Sequence, residues 1–357
     1  MIKHAYIHIP FCLRKCHYCS FVSGFNVSKK DIYIDALLKE IKNRYNKEQL
    51  STIYFGGGTP SLLEAKDIEK ILNELNFENN AEITIEANPE TIEEKKFKDL
   101  YSIGINRVSL GVQTFNNNIL KIIGRNHNEN SIYKSIDTIT NAEIENISID
   151  LIYGLPTQTL SLFKNDLEKA ISLKIKHIST YVLKIEEDSF FYKNPPDKIP
   201  NDEKQAQCYI YLCKFLKEND FEHYEISNFA KKGYHSKHNL CYWENKNYYG
   251  FGLNASGYES SIRYKNISDF NEYIKNPLSK EEEITLSKDQ IREEEIFLSL
   301  RLKKGIKKDK ISSKYKNIIK KYEQLELLEI RDNHLRLTDQ GFLVSNEIMS
   351  EFIEFID

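Results

Sequence analysis

No stretch of the 357 residues is long and apolar enough to cross a bilayer. Residues 1–20 also lack an apolar core followed by a small-residue cleavage site, so no secretory signal is expected. Positive charge is not in excess. The 50 Lys and Arg against 53 Asp and Glu leave a formal net charge of −3, which argues against a dedicated nucleic-acid binder. Tryptophan occurs once and methionine twice, scarcities read here as compositional drift and not as function. Cysteine is also sparse, at six. In a chain expected in the cytoplasm, where thiols stay reduced, six cysteines do not make a disulfide framework. What remains is an ordinary 40% hydrophobic content, enough for one large domain with one or two small ones.

Three of the six cysteines nonetheless fall within eight residues: Cys12, Cys16 and Cys19, in HIPFCLRKCHYCSF. Crowding of this kind in a cytosolic chain points to metal or redox chemistry. Three thiolates on one loop can hold three irons of a [4Fe–4S] cubane and leave the fourth iron open for another ligand. They can equally form a zinc site of the Cys3His type, with His4, His8 or His17 as the fourth ligand. Cys208 and Cys213, five apart on a predicted helix, read as small buried hydrophobes.

Six short runs rich in Ile, Val, Tyr and Thr predict strands at 4–9, 52–56, 82–87, 107–112, 147–154 and 178–184. Apolar residues at i, i+3 and i+4 between them, as at 31–45 and 65–75, predict helices. That alternation predicts parallel strands joined by right-handed crossovers. Unusual residues gather at successive strand ends. The cysteines follow the first strand and GGGTP follows the second. Glu86 closes the third and Gln113 the fourth, while Asp150 lies within the fifth. A doubly wound sheet would concentrate such residues at one switch point. Their spread over every unit favours an α/β fold with a partial, TIM-like (β/α)6 barrel. GGGTP is not a Walker loop, because no Gly-Lys-Ser/Thr follows. Its glycines let a ligand come close to the backbone.

The pattern changes after about residue 190. The expected organisation is a partial barrel over 1–200, a linking segment over 201–285, and a small winged-helix-like module over 286–357. A helix is predicted from 201, with Asn201 or Asp202 as N-cap. Residues 223–264 are aromatic and glycine-bearing without a clear period, and 275–290 reads as a charged linker. In the tail, LEIRDNHLRLT supplies a hairpin and Thr338 a helix cap. Residues 301–321 hold ten basic residues and one acidic, read as a solvated basic face, with a membrane-surface or partner-docking face as the alternative.

The C-x3-C-x2-C spacing, its place after the first strand and the glycine loop after the second together resemble the radical S-adenosylmethionine superfamily. YIHIPFC, YFGGGTPSLL, IEANPET, RVSLGVQTF, GRNH and DLIYGLP, spanning residues 6 to 156, resemble the branch that holds oxygen-independent coproporphyrinogen dehydrogenase (HemN) and the heme chaperones (HemW). The resemblance implies a [4Fe–4S] cluster on Cys12, Cys16 and Cys19, with S-adenosylmethionine chelating the open iron. It implies that Tyr18 lies near the adenine, and that Tyr6, Gly57, Gly58, Thr59 and Asp150 contact the cofactor. Glu86 and Gln113 would bond the ribose hydroxyls, and Arg125 the methionine carboxylate.

Two departures separate the chain from the dehydrogenase. That enzyme extends its motif to a fourth cysteine, where Ser20 and Phe21 follow Cys19 here. Its motif also lies behind a long N-terminal arm, whereas Cys12 is already the first cysteine. HYEISNFAKKGYHSKHNLCYW at 223–243 instead resembles the heme-chaperone segment with an H-N-x-x-Y-W motif. This implies heme ligation by His238, with neighbouring aromatics covering the macrocycle; Cys241, His235 and His223 are weaker alternatives. The expected function is a heme chaperone delivering heme to heme proteins such as membrane-associated respiratory cytochromes. It would act in the cytoplasm or at the inner face of the membrane, without nucleic acid, and a homodimer is compatible with the sequence. The alternative is a dehydrogenase making protoporphyrinogen IX by radical hydrogen abstraction.

Overall fold

Alternation decides the architecture. In the six expected strands aliphatic residues alternate with polar or aromatic ones. Such strands bury one face in hydrocarbon and keep the other for polar contacts, so helices cover one side of the sheet only. The computed structural model, which describes residues 1–353, has that form.

Strand β1 (His4–Ile9) leads through the cysteine loop to α1 (Lys30–Arg44). The units β2 (Leu50–Gly57)–α2 (Ala65–Leu72) and β3 (Phe77–Ala87)–α3 (Glu94–Ser102) follow. Next come β4 (Arg107–Gln113) with α4 (Asn117–Ile122) and α5 (Glu129–Asn141), β5 (Asn146–Tyr153) with α6 (Leu160–Ser172), and β6 (His177–Val182). The six strands are parallel and lie side by side in chain order, without the reversal that makes a switch point. Ile7, Ile53, Ile85, Leu110, Ile149 and Ile178 point to the helices and are fully buried. Each contributes on the order of 1.5–3 kcal/mol by leaving water. The opposite face carries His4, Tyr6, His8, Tyr54, Glu86, Arg107, Ser109 and Asp150, which line the inside of the partial barrel.

The sheet is wider than the six expected strands. After the short α7 (Phe190–Lys193), α8 (Asp202–Glu218) starts with Asn201 as N-cap, its side chain accepting from the Lys204 N–H at 3.2 Å. It leads to β7 (Glu222–Glu225) and β8 (Asn228–Ala230), a hairpin that pairs antiparallel with β6. Helix α9 (Lys237–Trp243) follows, and then β9 (Tyr249–Phe251), which adds a parallel strand beside β1. Strands of three or four residues are too short to show a period, which is why 223–264 carried no signal. Fully buried Glu40 on α1 fastens this segment, accepting from the Gly252 N–H at 2.8 Å and the Tyr273 hydroxyl at 2.7 Å.

Residues 275–290 correct the sequence reading. They are not a linker throughout. β10 (Ser256–Glu259), β11 (Ile262–Asn266) and, after α10 (Phe270–Lys275), β12 (Lys280–Thr285) form a three-stranded antiparallel sheet. All six residues of β12 are exposed, and its charges suit an open edge. The tail runs α11 (Lys288–Ser299), β13 (Ile306–Lys307), α12 (Lys316–Gln324), β14 (Leu328–Arg331), β15 (His334–Leu337), α13 (Asp339–Leu343) and α14 (Ser345–Ser350). Thr338 caps α13 by accepting from the Gly341 N–H at 3.0 Å. Residues 354–357 of the expected module lie outside the described residues.

Cys208 is buried in the core and Cys213 packs against it. In the basic stretch Lys303, Lys304, Lys310, Lys314 and Lys321 each pair with a carboxylate, so much of its charge is balanced locally. Among the described residues no helix is long and apolar enough to cross a membrane.

Candidate functional site

The cysteine loop leaves the C-terminal end of β1 and is held by its backbone. The His17 N–H donates to the Ile123 carbonyl at 3.1 Å, and the Gly24 N–H to the Pro10 carbonyl at 3.0 Å. The glycine loop docks directly on it: the Gly58 N–H donates to the Ile9 carbonyl at 2.8 Å, and the Thr59 N–H to the Phe11 carbonyl at 2.7 Å. The fit leaves no room for larger residues. A Cβ on Gly58 would lie 2.5 Å from the Phe11 carbonyl oxygen. Gly57 has φ +111°, and a Cβ there would lie 2.5 Å from the His8 ring.

Cys12, Cys16 and Cys19 are free thiols, all half-buried. Burial raises the Cys19 pKa, partly offset by the Phe21 backbone N–H. None of the three histidines weighed for a zinc site stands ready beside them. His8 has both ring nitrogens engaged, with the Tyr6 hydroxyl at 3.0 Å and the Val22 carbonyl at 3.0 Å. Burial lowers its pKa to about 4. His17 Nδ1 bonds the Ile122 carbonyl at 2.8 Å and its ring packs on Phe190. His4 lies at the far end of β1. Among the described residues no three His, Cys, Asp or Glu side chains converge on one ion-sized point. A cubane takes its thiolates on separate irons, so three thiols spaced along a loop suit a cluster better than a single ion.

A row of side chains ties the loop to the next two units. The Thr59 hydroxyl donates to Cys12 Sγ at 3.7 Å and accepts from Asn88 Nδ2 at 2.9 Å. Asn88 Oδ1 accepts from the Arg125 guanidinium at 2.7 Å, and the Gly111 carbonyl accepts from the same group at 3.2 Å. Arg125 Nε is buried without a partner, an orphaned donor beside a small cleft that Cys16, Thr59 and Asn88 also line. An anionic group such as a carboxylate suits that donor. Tyr18 packs on an apolar cluster with Ile119 and Leu155, and burial raises its pKa.

Glu86, Gln113 and Asp150 stand at neighbouring strand ends. Glu86 Oε1 accepts from the Tyr54 hydroxyl at 2.8 Å and Oε2 from the Gly57 N–H at 3.1 Å. Burial raises its pKa to about 7 against the Tyr54 hydrogen bond, and Asp150 adds to the rise. Burial also raises Asp150, which accepts from the Ser109 hydroxyl at 3.1 Å. Gln113 is buried at φ +67°, a left-handed conformation uncommon for a non-glycine residue. The sequence reading missed Tyr54, Asn88 and Arg107. Arg107 is 1% exposed, with Nε and one terminal nitrogen unpartnered, and places a positive charge inside the barrel near Glu86 and Asp150. Its signal was a charge at an inward position of RVSLGV.

The other end of the barrel is closed by α9. Glu82 receives the first amides of the helix, from Lys237 at 3.1 Å and His238 at 3.0 Å. His238 then points inward. Its Nδ1 lies 2.7 Å from Thr52 Oγ1, and its Nε2 lies 2.8 Å from the Tyr242 hydroxyl. The side chain is buried, and burial lowers its pKa well below the usual histidine range. Both ring nitrogens are hydrogen-bonded in this arrangement, so the heme ligation that the resemblance implies for His238 would exchange the Tyr242 or the Thr52 contact for the iron. Cys241 is buried with its thiol pKa raised by burial, His223 stacks on Phe229, and His235 pairs with Glu222.

Residues 6–170 match the family model of the radical SAM superfamily, and residues 286–344 that of the HemN C-terminal domain. A heme chaperone HemW from Lactococcus lactis is 40% identical over 98% of this chain and 97% of its own length. The chain belongs to the HemW family of radical SAM proteins. HemW of Bacillus subtilis is 37% identical over 99% of both chains. Among solved structures, the coproporphyrinogen III oxidase HemN of Escherichia coli superposes with a TM-score of 0.86 over 98% of this chain and 90% of that one. At 22% identity that likeness concerns the fold alone. The HemW resemblance includes the segment from 223 to 264, where β7, β8, α9 and β9 complete the barrel.

Proposed function

We propose that the protein is a heme chaperone: it binds heme and passes it to heme proteins, membrane-associated respiratory cytochromes among them. The observation that carries this reading is the likeness to proteins named heme chaperone HemW along nearly the whole chain. Cys12, Cys16 and Cys19 would hold a [4Fe–4S] cluster. Arg125 would take the carboxylate of S-adenosylmethionine, and Tyr6, Tyr18, Gly57, Gly58, Thr59 and Asp150 would contact that cofactor. Glu86 and Gln113 would receive its ribose hydroxyls, Glu86 through the carboxylate lone pairs that Tyr54 and Gly57 leave free. Bound there, the cluster would supply an open, Lewis-acidic iron and one electron. The residues around it hold the cofactor and exclude water. Lys307, Lys308, Lys316 and Lys320, without a carboxylate partner among the described residues, offer a basic face toward an anionic membrane where such acceptors reside.

The test is heme transfer. Protein loaded with hemin, with its cluster reconstituted anaerobically, is mixed with an apo-cytochrome of the b type. Transfer of the Soret band to the acceptor is expected. Hemin retained by the protein under every cluster and cofactor condition would overturn the reading. Formation of protoporphyrinogen IX from coproporphyrinogen III, with reductant and S-adenosylmethionine, would replace it with the dehydrogenase. Ser20 and Phe21, in place of that enzyme's fourth cysteine, speak against this outcome.

A further inference from the structure

Of the two ribose candidates, Glu86 and Gln113, only Gln113 has a left-handed backbone, at φ +67°. The Thr114 N–H donates across it to the Val112 carbonyl at 2.9 Å. A bond of that span around a positive φ is the rare, strained form of the γ-turn. The turn coincides with a bulge. Gly111 pairs with Asp150 and Gln113 with Leu151, so two steps along β4 match one along β5. Bulges gather beside active sites, where they re-aim a side chain. Here Gln113 folds back over Gly111. A Cβ on Gly111 would lie 2.6 Å from Arg125 Nη2, 2.9 Å from Asn88 Oδ1 and 2.9 Å from Gln113 Nε2. Three polar groups thus meet over a residue without a side chain.

We infer that Asp166, on α6, is a positioning residue for S-adenosylmethionine: it clamps this turn and so keeps the Gln113 amide beside Arg125. The inference rests on the reading of Gln113 as a ribose contact and adds what holds it there. Asp166 is 2% exposed. Its Oδ2 accepts from the Thr114 hydroxyl at 2.8 Å and its Oδ1 from the Phe115 N–H at 2.8 Å. Gln158 Nε2 adds a third donor at 3.4 Å. Three donors suit an ionised carboxylate. Burial raises the Asp166 pKa against the Phe115 and Thr114 bonds, but only to about 6, which leaves it ionised at neutral pH. The turn is held from its other side as well. His127 Nε2 lies 3.1 Å from the Val112 carbonyl. A carbonyl only accepts, so this ring nitrogen carries the proton.

A strained turn persists only where its surroundings over-determine it. Were β4 to continue without the bulge, Gln113 would pair with Ile152 instead of Leu151. That is one residue, about 3.3 Å, farther along the strand from Gly111 and Arg125. The clamp also reaches Arg125 through the chain. Thr114 Oγ1 accepts from the Asn116 N–H at 3.1 Å, and the Asn116 side chain caps α4. The Arg125 N–H in turn donates to the Leu120 carbonyl of that helix at 2.9 Å. One carboxylate on α6 therefore steadies both ends of the segment that carries Gln113 and Arg125.

The experiment is an anaerobic calorimetric titration of full-length, cluster-bearing protein with S-adenosylmethionine. The wild type is compared with Asp166→Ala, Gln113→Ala and the double variant. Asp166→Ala is expected to bind about tenfold more weakly, with iron content and the cluster's paramagnetic resonance before cofactor addition unchanged. A residue that acts through Gln113 has nothing left to position once that amide is gone. In the Gln113→Ala background, Asp166→Ala should therefore cost less than about twofold. Equal losses in both backgrounds would mark a general structural role and overturn the inference. Wild-type affinity in either single variant would overturn it too. Should Asp166→Ala not fold, Thr114→Val takes its place in the same cycle, since it removes one donor of the clamp at nearly constant shape. A several-fold loss confined to the Gln113 background is then expected, and wild-type affinity or an additive loss would overturn the clamp. A wild type that binds no S-adenosylmethionine would instead remove the cofactor reading itself.

Discussion

The imidazole of His238 lies nearly parallel to the phenol ring of Tyr54, with centroids 5.1 Å apart and planes 25° from parallel. The same Tyr54 donates its hydroxyl to Glu86, and Glu86 accepts the Gly57 N–H. The histidine of the heme-chaperone motif and the glycine loop beside the thiols are therefore only two side chains apart, although they serve opposite ends of the barrel.

Tyr54→Phe keeps the stack on His238 and deletes the bond to Glu86. A hydrogen bond to a charged group is worth about 1.5–3 kcal/mol. Affinity for S-adenosylmethionine is expected to fall by about tenfold, measured by anaerobic calorimetry, while hemin affinity stays within about twofold of wild type. A parallel loss of hemin would show that the two ends are coupled through this ring.

Gly57→Ala forces a side chain into a left-handed conformation and onto the His8 ring. Backbone strain alone costs about 1–3 kcal/mol. The variant should melt several degrees lower and retain less iron after reconstitution. Unaltered melting would mean that the loop relaxes freely.

Thr59→Val removes the donor to Cys12 Sγ and leaves Asn88 Nδ2 without an acceptor. Hydrogen bonds to cluster sulfur favour the more negative, reduced state, so the cluster potential should become more negative. A redox titration followed by electron paramagnetic resonance reads this directly.

Arg125→Lys replaces a planar fork with a point charge in a site where the guanidinium already bonds Asn88 and Gly111. Iron content should be unchanged and affinity for S-adenosylmethionine lower by about tenfold or more. Equal affinity would detach Arg125 from the cofactor carboxylate.

Glu225 is fully buried, accepts the Ser227 N–H at 3.2 Å with one oxygen, and leaves the other unpartnered. Burial raises its pKa from 4.5 to about 7, against the Ser227 N–H and nearby Arg301. The folded state therefore holds this proton more tightly than the unfolded state. The contribution to stability is full below the unfolded value and is lost as pH rises through about 7. Glu225→Gln should match wild type near pH 4.5 and exceed it by roughly 2–3 kcal/mol at pH 8, by urea unfolding.

The sequence disclosed most where chemistry and periodicity coincide. The six barrel strands were legible because aliphatic residues alternate with polar ones, and the thiol loop because three cysteines within eight residues have few other uses. Edge strands β7 to β9 were not, since their placement depends on pairing partners far along the chain and on the buried contacts of Glu40. β12 was hidden by its own charges, which belong on an open edge but read as solvent-loving linker. His238 was found as a motif residue. Its seclusion could not be, because Thr52 lies 186 residues away and nothing local marks it as a partner.

Glu82 receives two amides of α9 from 155 and 156 residues away. One carboxylate thus acts as a clasp between the third strand and a helix that the chain reaches much later. A protease nick in the loop before Lys237 would sever the polypeptide there without freeing the helix, and the two fragments would co-purify as a single particle.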